Sequence, residues 1–173
     1  MKKTLISDSV PIVVMGSSGC GKSTIGAILA RKLSVDFLEG DDFHSSESRA
    51  KLAAGIALTD QDRWPWLRSL AQALGRSDSR QVASCSALKR AHREYISKVA
   101  AEPVLFIYLK GSRDVLAARL AARSDHFMSS SLLDSQLSTL EPPDHREFAI
   151  TVNIEARIDA VVEEIISKLS GAD

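Results

Sequence analysis

The sequence predicts an α/β fold in which a parallel sheet of five strands is flanked by helices. Two patterns along the chain lead to this prediction. Short apolar runs rich in β-branched residues alternate with segments whose apolar residues recur every three or four positions. A glycine-rich turn also closes the first of these runs and opens into the first helical pattern. Such alternation is typical of strand–helix–strand units with right-handed crossovers.

The first strand is predicted at residues 12–15, where four apolar residues follow one another. An apolar run without polar alternation indicates a strand that is buried on both faces of a parallel sheet. The next segment places Ile25, Ile28, Leu29 and Leu33 at three- and four-residue spacing. This spacing predicts the inward face of an amphipathic helix.

The same two patterns continue to the end of the chain. Four more strands are predicted at residues 35–38, 81–85, 104–109 and 150–154. Helices are predicted around residues 46–54, 61–75, 88–100, 112–123, 131–140 and 157–169. The polar stretches between these segments are too short to be linkers between domains. We therefore expect one domain spanning residues 1–173.

Size and charge narrow the possible classes of function. A chain of 173 residues, 45% hydrophobic and 25% charged, can bury one sizeable core. Its 22 Lys and Arg residues balance 22 Asp and Glu residues, so it lacks the basic excess that is typical of nucleic-acid binding. No apolar run approaches the roughly 20 residues that span a bilayer, and the first residues do not resemble a signal peptide. Two cysteines cannot form a disulfide framework. We expect a cytoplasmic protein without nucleic-acid or membrane partners.

Residues 16–23 match the phosphate-binding pattern G-x-x-x-x-G-K-[ST] at every defined position. The match lies between a predicted strand and a predicted helix, where glycines let backbone N–H groups turn toward phosphate oxygens. Lys22 is expected to contact the β- and γ-phosphates, and Ser23 to offer its hydroxyl to Mg²⁺. The fold is therefore predicted to be that of the P-loop NTPases. The predicted nucleotide-binding residues are Gly16, Ser17, Ser18, Gly19, Cys20, Gly21, Lys22, Ser23 and Thr24.

Other features favour ATP and phosphoryl transfer. The guanine-reading pattern Asn-Lys-x-Asp of GTPases does not occur in the sequence, so ATP is the expected nucleotide. A chain of this length has room for a nucleotide site, a small acceptor pocket and a lid, which is the layout of small-molecule kinases. The alternative from another class of protein is a nucleotide-binding switch or scaffold that catalyses no phosphoryl transfer.

Asp41 and Asp42 follow the second predicted strand. Ligands of open α/β sheets bind at the carboxyl ends of the strands, so these carboxylates are expected near the phosphate loop. A carboxylate there can orient an acceptor hydroxyl or take its proton, and Asp41 is the predicted catalytic residue for this role. The alternative is that the Asp pair only caps the next helix, which is a stronger alternative for Asp42.

Seven segments of the sequence, in order along nearly the whole chain, resemble those of the gluconate kinases. These segments are residues 16–23, 40–44, 58–67, 85–89, 108–111, Arg123 with 126–127, and 135–142. The resemblance implies a fold like that of adenylate and shikimate kinases, with the adenylate-kinase strand order. It also implies ATP-dependent phosphorylation of D-gluconate at the C6 hydroxyl, giving 6-phosphogluconate, by a homodimer.

The residues around Asp41 suit an acidic, hydroxyl-rich acceptor. Thr59 or Asp60 is predicted to cap a helix beginning near Gln61, with Pro65 in the first turn, which directs Arg63 toward the sheet edge. Lys89 follows the third strand, where a cation can neutralise a carboxylate or a phosphoryl group. The predicted substrate-binding residues are Asp41, His44, Arg49, Arg63 and Lys89, with His126 added by the resemblance. Taken singly, each cation in this set is more often a solvated surface residue, and only the shared sheet edge and the order of the family segments favour a binding site.

Arg119 and Arg123 stand four residues apart near the end of a predicted helix whose inner face is Val115, Leu116 and Leu120. They are predicted to be catalytic lid arginines, with a mobile lid at residues 124–140 and a substrate-binding region at residues 41–75. The alternative is an ordinary basic helix end that complements the helix dipole.

Four positions depart from the pattern of the gluconate kinases. Ser45, Ser48, Ala57 and His92 stand where Pro, Asn, Pro and Tyr are usual. None of these departures removes a predicted catalytic group, but they affect the shape of the acceptor pocket. A shikimate-like kinase or a kinase of another sugar acid is therefore the alternative among enzymes.

Overall fold

The computed structural model describes residues 6–76, 79–122 and 130–171. Its centre is one sheet of five parallel strands in the order β2-β3-β1-β4-β5. The five-stranded parallel sheet predicted from the sequence is therefore confirmed. The strands are β1 (Ile12–Met15), β2 (Asp36–Leu38), β3 (Gln81–Ser84), β4 (Leu105–Lys110) and β5 (Ala149–Asn153).

The predicted helices all occur, with ends within about two residues of the prediction. One short element is additional, a 3₁₀ helix at Gly40–Phe43 directly after β2. The helices are α1 (Lys22–Leu33), α2 (Ser46–Ala53), α3 (Asp60–Leu74), α4 (Arg90–Ala100), α5 (Arg113–Ala121), α6 (Ser130–Thr139) and α7 (Ile158–Ser170).

Strand β1 divides the core into two halves. All four of its residues are completely buried, as the uninterrupted apolar run predicted. Because successive side chains of a strand point to opposite faces, Ile12 and Val14 join one cluster, which includes residues of α1 and α7. Val13 and Met15 join the other cluster, which includes residues of α3 and α4. The helices therefore cover both faces of the sheet.

Helix α3 begins one residue earlier than expected. Thr59 is its N-cap and forms a capping box with Asp62, in which each side chain accepts a hydrogen bond from the other residue's backbone. Pro65 is therefore the sixth residue of α3, and the prediction that it lies in the first turn is wrong. The helix continues through Pro65, and the hydroxyl of Ser69 donates to the Pro65 carbonyl at 3.1 Å.

Three chain segments leave the sheet side by side at the carboxyl ends of its strands. The phosphate loop follows β1, the 3₁₀ helix follows β2 and residues 85–89 follow β3. Among the described residues, no helix is both long and apolar enough to cross a membrane.

Candidate active site

The phosphate loop links β1 to α1 in a conformation that its glycines make possible. Gly19 and Gly21 have φ angles of 85° and 93°, in the left-handed region that L side chains rarely adopt. A Cβ atom on Gly19 would also lie 2.8 Å from the carbonyl oxygen of Leu116. Gly21 is the N-cap of α1 and offers no side chain as a cap, so the first turn of α1 keeps the backbone arrangement that binds anions in other helices.

Lys22 and Ser17 lie within this loop. The ammonium of Lys22 donates to the Ser17 carbonyl at 3.2 Å, which folds the side chain back over the loop. The hydroxyl of Ser17 is buried and has no hydrogen-bond partner in the described part of the chain. Cys20 is completely buried and packs beneath the loop in the core.

Ser23 and Thr24 are exposed in the first turn of α1. The described residues contain no cluster of three or more His, Cys, Asp or Glu side chains that could hold a metal by themselves. Mg²⁺ retains several waters and usually takes few protein ligands besides substrate phosphates. The exposed hydroxyl of Ser23 is suited to be one such ligand.

Helix α6 reaches the phosphate loop directly. The backbone N–H of Ser18 donates to the side-chain oxygen of Gln136 at 2.6 Å. Two further contacts hold α6. Asp134 accepts two hydrogen bonds from Arg113, at 2.7 and 3.0 Å, and Glu141, just beyond α6, accepts from the backbone N–H of Arg90 at 2.7 Å. Residues 130–139 of the predicted lid are therefore a docked helix, whereas residues 124–129 lie outside the described residues.

The 3₁₀ helix places Asp41 at the sheet edge. A Cβ atom on Gly40 would lie 1.9 Å from the Ser84 carbonyl oxygen, so only glycine allows this close approach to β3. The N–H of Gly40 donates to the Ser84 hydroxyl at 3.0 Å, and its carbonyl accepts from the indole of Trp66 at 2.7 Å. The side chain of Asp41, held on this anchored turn, is 81% exposed.

His44 ends the 3₁₀ helix and is buried. Its ring stacks on Trp66 with centroids 4.0 Å apart, and its Nε2 lies 3.7 Å from Oδ1 of Asp41. Its Nδ1 is buried without a hydrogen-bond partner among the described residues. Burial lowers the pKa of His44 below 6.5, and the partial opposing effect of Asp41 does not reverse this. His44 is therefore a neutral ring that lines the cleft and has one buried nitrogen without a hydrogen-bond partner among the described residues.

Cys85 directly follows β3 and is buried. Burial raises the pKa of this thiol to about 12, while the charge of Lys22 lowers it and that of Asp41 raises it. The Cys85 thiol is therefore protonated at neutral pH.

One open cleft joins these elements, with a volume of about 660 Å³ including its mouth. It brings together five predicted site residues, namely Ser18, Lys22, Asp41, His44 and Arg63. The remaining lining residues are Leu52, Ala57, Leu58, Trp66, Ser86, Leu88, Leu132, Ser135 and Gln136.

Arg63 and Lys89 meet at Asp60. Oδ1 of Asp60 lies 3.2 Å from Nη1 of Arg63, and Oδ2 lies 2.6 Å from the ammonium of Lys89. His92 also contacts this carboxylate, with Nε2 3.2 Å from Oδ1. The hydrogen bond from Lys89 is the main reason why the pKa of Asp60 falls to about 2. Asp60 is therefore ionised at neutral pH.

Two predicted site residues point elsewhere. Arg49 is exposed and donates to the Asp42 carbonyl at 2.8 Å. Arg119 donates to the Ile154 carbonyl at 2.6 Å, beyond the end of β5. Neither lines the cleft, and Lys89, whose ammonium contacts Asp60, does not line it either. Arg123 and His126 lie outside the described residues.

Sequence reasoning missed Gln136 and Asp60 as members of the site. Gln136 belongs to a segment that carries the resemblance, and that membership was the available signal. Asp60 was considered only as a helix cap. Its contacts join α3 to the start of α4, and no local pattern reveals such a pairing.

Comparison with known proteins places the chain among small-molecule kinases. The shikimate kinase family model matches residues 18–170. A probable gluconokinase of Dictyostelium discoideum is 41% identical over 172 residues, covering 91% of this chain and 85% of that protein. The gluconokinase of Gluconobacter oxydans is 41% identical over 165 residues, covering 94% and 92% of the two chains.

A solved structure gives the same result for the fold. The crystal structure of a gluconokinase from Sinorhizobium meliloti superimposes with a TM-score of 0.89 at 41% sequence identity. The match covers 96% of this chain and 95% of that chain. The predicted P-loop kinase fold is therefore confirmed.

Proposed function

Because the chain belongs to the gluconokinases of the shikimate kinase family, we propose that it transfers the γ-phosphoryl group of ATP to D-gluconate. The acceptor is the C6 hydroxyl, and the products are 6-phospho-D-gluconate and ADP. The observation that carries this proposal is the single cleft that joins Lys22 of the phosphate loop to Asp41, His44 and Arg63. A nucleotide-binding switch has no need of an acceptor pocket beside its phosphate loop.

Lys22 and Asp41 have complementary roles in the transfer. The bond from the γ-phosphorus to the bridging oxygen breaks and a new bond to the C6 oxygen forms, so negative charge grows on the leaving ADP. The ammonium of Lys22 stabilises that charge among the β- and γ-oxygens. Asp41 orients the C6 hydroxyl for in-line attack and accepts its proton. Its exposure on the anchored 3₁₀ helix leaves the carboxylate accessible to the acceptor.

The phosphate loop holds the nucleotide through its backbone. Residues 16–24 supply N–H groups and the start of α1, and Ser23 supplies a hydroxyl for Mg²⁺. Bound Mg²⁺ neutralises part of the phosphate charge. The buried Ser17 hydroxyl is available to the same group of oxygens.

The acceptor end of the cleft suits a polyhydroxy acid. Arg63 and Lys89 provide cations for the single carboxylate of gluconate, and Nδ1 of His44 provides a buried partner for one hydroxyl. Arg49 is placed on the rim in this proposal, because its guanidinium now holds the Asp42 carbonyl. His126 remains a proposed ligand from the lid.

Closure completes the site. Arg119 and Arg123 are proposed to turn toward the transferring phosphoryl group when both substrates are bound. For Arg119 this requires exchange of its hydrogen bond with the Ile154 carbonyl for one with phosphate. A charged oxygen is the stronger acceptor, so the exchange is favourable once ATP is present.

We also propose that the enzyme is a cytoplasmic homodimer. Both cysteines are free and buried, which suits a reducing compartment, and the dimer rests on the family resemblance. Sedimentation analysis of the purified protein tests the oligomeric state.

The deciding experiment is an acceptor panel with purified protein, in which ADP release is measured for gluconate, other sugar acids and shikimate. We expect gluconate to have the highest kcat/KM, and phosphorus NMR of the product to place the phosphate on C6. Preferred turnover of shikimate would overturn the substrate, and ATP binding without turnover of any acceptor would overturn the activity.

A further inference from the structure

Asp60 is the point at which three basic side chains of the site meet. Its carboxylate lies 2.6 Å from Nζ of Lys89, 3.2 Å from Nη1 of Arg63 and 3.2 Å from Nε2 of His92. Arg63 lines the cleft, and Lys89 follows the lining residue Leu88. Asp60 itself does not line the cleft, so it acts on a ligand through the two cations that it holds.

His92 helps to fix the position of the Asp60 carboxylate. The backbone N–H of Lys89 donates to Nδ1 of His92 at 3.3 Å, so Nδ1 is an acceptor and Nε2 carries the proton that faces Asp60. The ring is 1% exposed and packs edge-on against Trp64, with centroids 5.4 Å apart. His92 is therefore neutral in this arrangement and has little freedom to rotate.

The charge of this cluster matches one carboxylate. Arg63 and Lys89 each carry one positive charge, Asp60 carries one negative charge and His92 carries none. The cluster therefore carries a single net positive charge, and Arg63 is the member of it that lines the cleft. An acceptor whose terminal group carries two negative charges leaves one of them uncompensated in a partly desolvated site, which costs affinity.

We propose that Asp60 is a positioning residue that limits the anionic end of the acceptor to a single negative charge, by neutralising one of the two cations while holding both in place. This inference rests on the proposed function, because it takes the acceptor to be a sugar acid. It also explains why an acceptor with a carboxylate at its anionic end should be preferred to one with a phosphate at that end.

A series of six-carbon acceptors tests the charge directly. D-Sorbitol, D-gluconate and D-mannitol 1-phosphate are open chains with a free terminal hydroxyl and a far end of charge zero, one and two at pH 7.5. The wild-type enzyme is expected to prefer gluconate. In Asp60→Asn, the ratio of kcat/KM for gluconate to that for mannitol 1-phosphate should fall at least tenfold, while KM for ATP stays within about twofold.

Two further variants separate charge from structure. Asp60→Glu keeps the charge and should keep the wild-type preference, even if a displaced carboxylate raises KM for gluconate. Asp62→Asn is the matched control, since it removes a carboxylate two residues along the same helix that contacts Lys51 and caps α3. It should lower the melting temperature without changing the acceptor ratio.

The outcomes are distinguishable. The inference is wrong if Asp60→Asn keeps the ratio of kcat/KM for gluconate to that for mannitol 1-phosphate within twofold of wild type. This holds also if the variant turns over both acceptors more slowly by the same factor. If the wild-type enzyme does not phosphorylate gluconate, the proposed function is wrong, and that result is distinct from any effect of the Asp60 substitutions.

Discussion

The imidazole of His44 lies flat on the indole of Trp66, with ring centroids 4.0 Å apart and an angle of 21° between the planes. The same indole donates to the Gly40 carbonyl at 2.7 Å. Trp66 on α3 therefore holds both ends of the 3₁₀ helix that carries Asp41. Trp66 is itself buried, and the ring on which it packs has an Nδ1 without a hydrogen-bond partner among the described residues.

Lys22→Ala should reduce kcat by at least about 10³-fold and leave the fold intact, because the ammonium acts chiefly on charge that develops during transfer. Steady-state kinetics and a thermal melt measure the two effects. Lys32→Ala, which removes a lysine paired with Glu163 on the surface, is the control and should change neither. Near-normal kcat in Lys22→Ala would exclude the assigned role of the phosphate loop.

Asp41→Asn should lower kcat by about 10²–10⁴-fold with little change in KM for ATP, because the amide can orient the hydroxyl but cannot take its proton. Asp42→Asn is the matched control. Asp42 is the next residue of the same 3₁₀ helix, so the loss of its charge has a similar general electrostatic effect. Because Asp42 has no assigned role in the transfer, Asp42→Asn should lower kcat much less than Asp41→Asn does. The assignment of the base is wrong if Asp42→Asn is the crippled variant.

Arg119→Ala should lower kcat by about 10-fold or more, since lid arginines stabilise charge on the transferring group. Limited proteolysis with and without an ATP analogue plus gluconate should also show protection of the lid in the wild-type enzyme. Arg157→Ala removes another, highly exposed arginine and is the control for kcat. Identical digestion patterns in all ligand states would contradict closure.

Gly40→Ala should destabilise the protein by about 1–3 kcal/mol, because the new methyl group meets the backbone of β3 rather than a movable side chain. Gly26→Ala is a useful comparison. Its Cβ would lie 2.6 Å from the ring of Phe37, which can shift, and alanine favours the helical conformation of α1. Urea denaturation should show a larger loss of unfolding free energy for Gly40→Ala than for Gly26→Ala. Equal losses in the two variants would contradict this prediction.

Stability should fall as the solution is acidified from pH 7 to pH 5. Burial lowers the pKa of both His44 and His92 below 6.5, so the unfolded chain takes up protons in this range before the folded protein does. The unfolded state therefore gains stability as the pH falls. The carboxylate of Asp60, with a pKa lowered to about 2, loses its contribution only below about pH 4.

Melting temperatures at several pH values test this. His92→Gln should melt lower overall but with a shallower dependence on pH, since one of the two titrating groups is gone. An unchanged slope in this variant would show that His92 does not contribute.

The sheet and helices could be predicted because local sequence determines them. The apolar run 12–15, the glycines of the phosphate loop and the cap at Thr59 each act within a few residues. Lys22, Asp41 and His44 could be grouped because parallel strands end at one edge, and Arg63 was added from the predicted start of its helix and the family resemblance.

Pairings between distant side chains could not be predicted. Ser18 and Gln136 are 118 positions apart, and their contact depends on the placement of α6 over the cleft. The hydrogen bond between Arg119 and the Ile154 carbonyl likewise depends on how α5 lies against the end of β5. No periodicity or spacing contains that information.

Helix α6 connects the phosphate loop to the chain beyond its own carboxyl end. It has 10 residues, which at 1.5 Å per residue gives a length of about 15 Å, and Glu141 just beyond it accepts from the backbone N–H of Arg90. A rotation of the helix by about 20° about Glu141 would move Gln136, about 7.5 Å away, by about 2.6 Å. That displacement would break the hydrogen bond between Gln136 and Ser18. It would also require the paired side chains of Asp134 and Arg113 to move together, so that pair resists the release of the phosphate-loop amide.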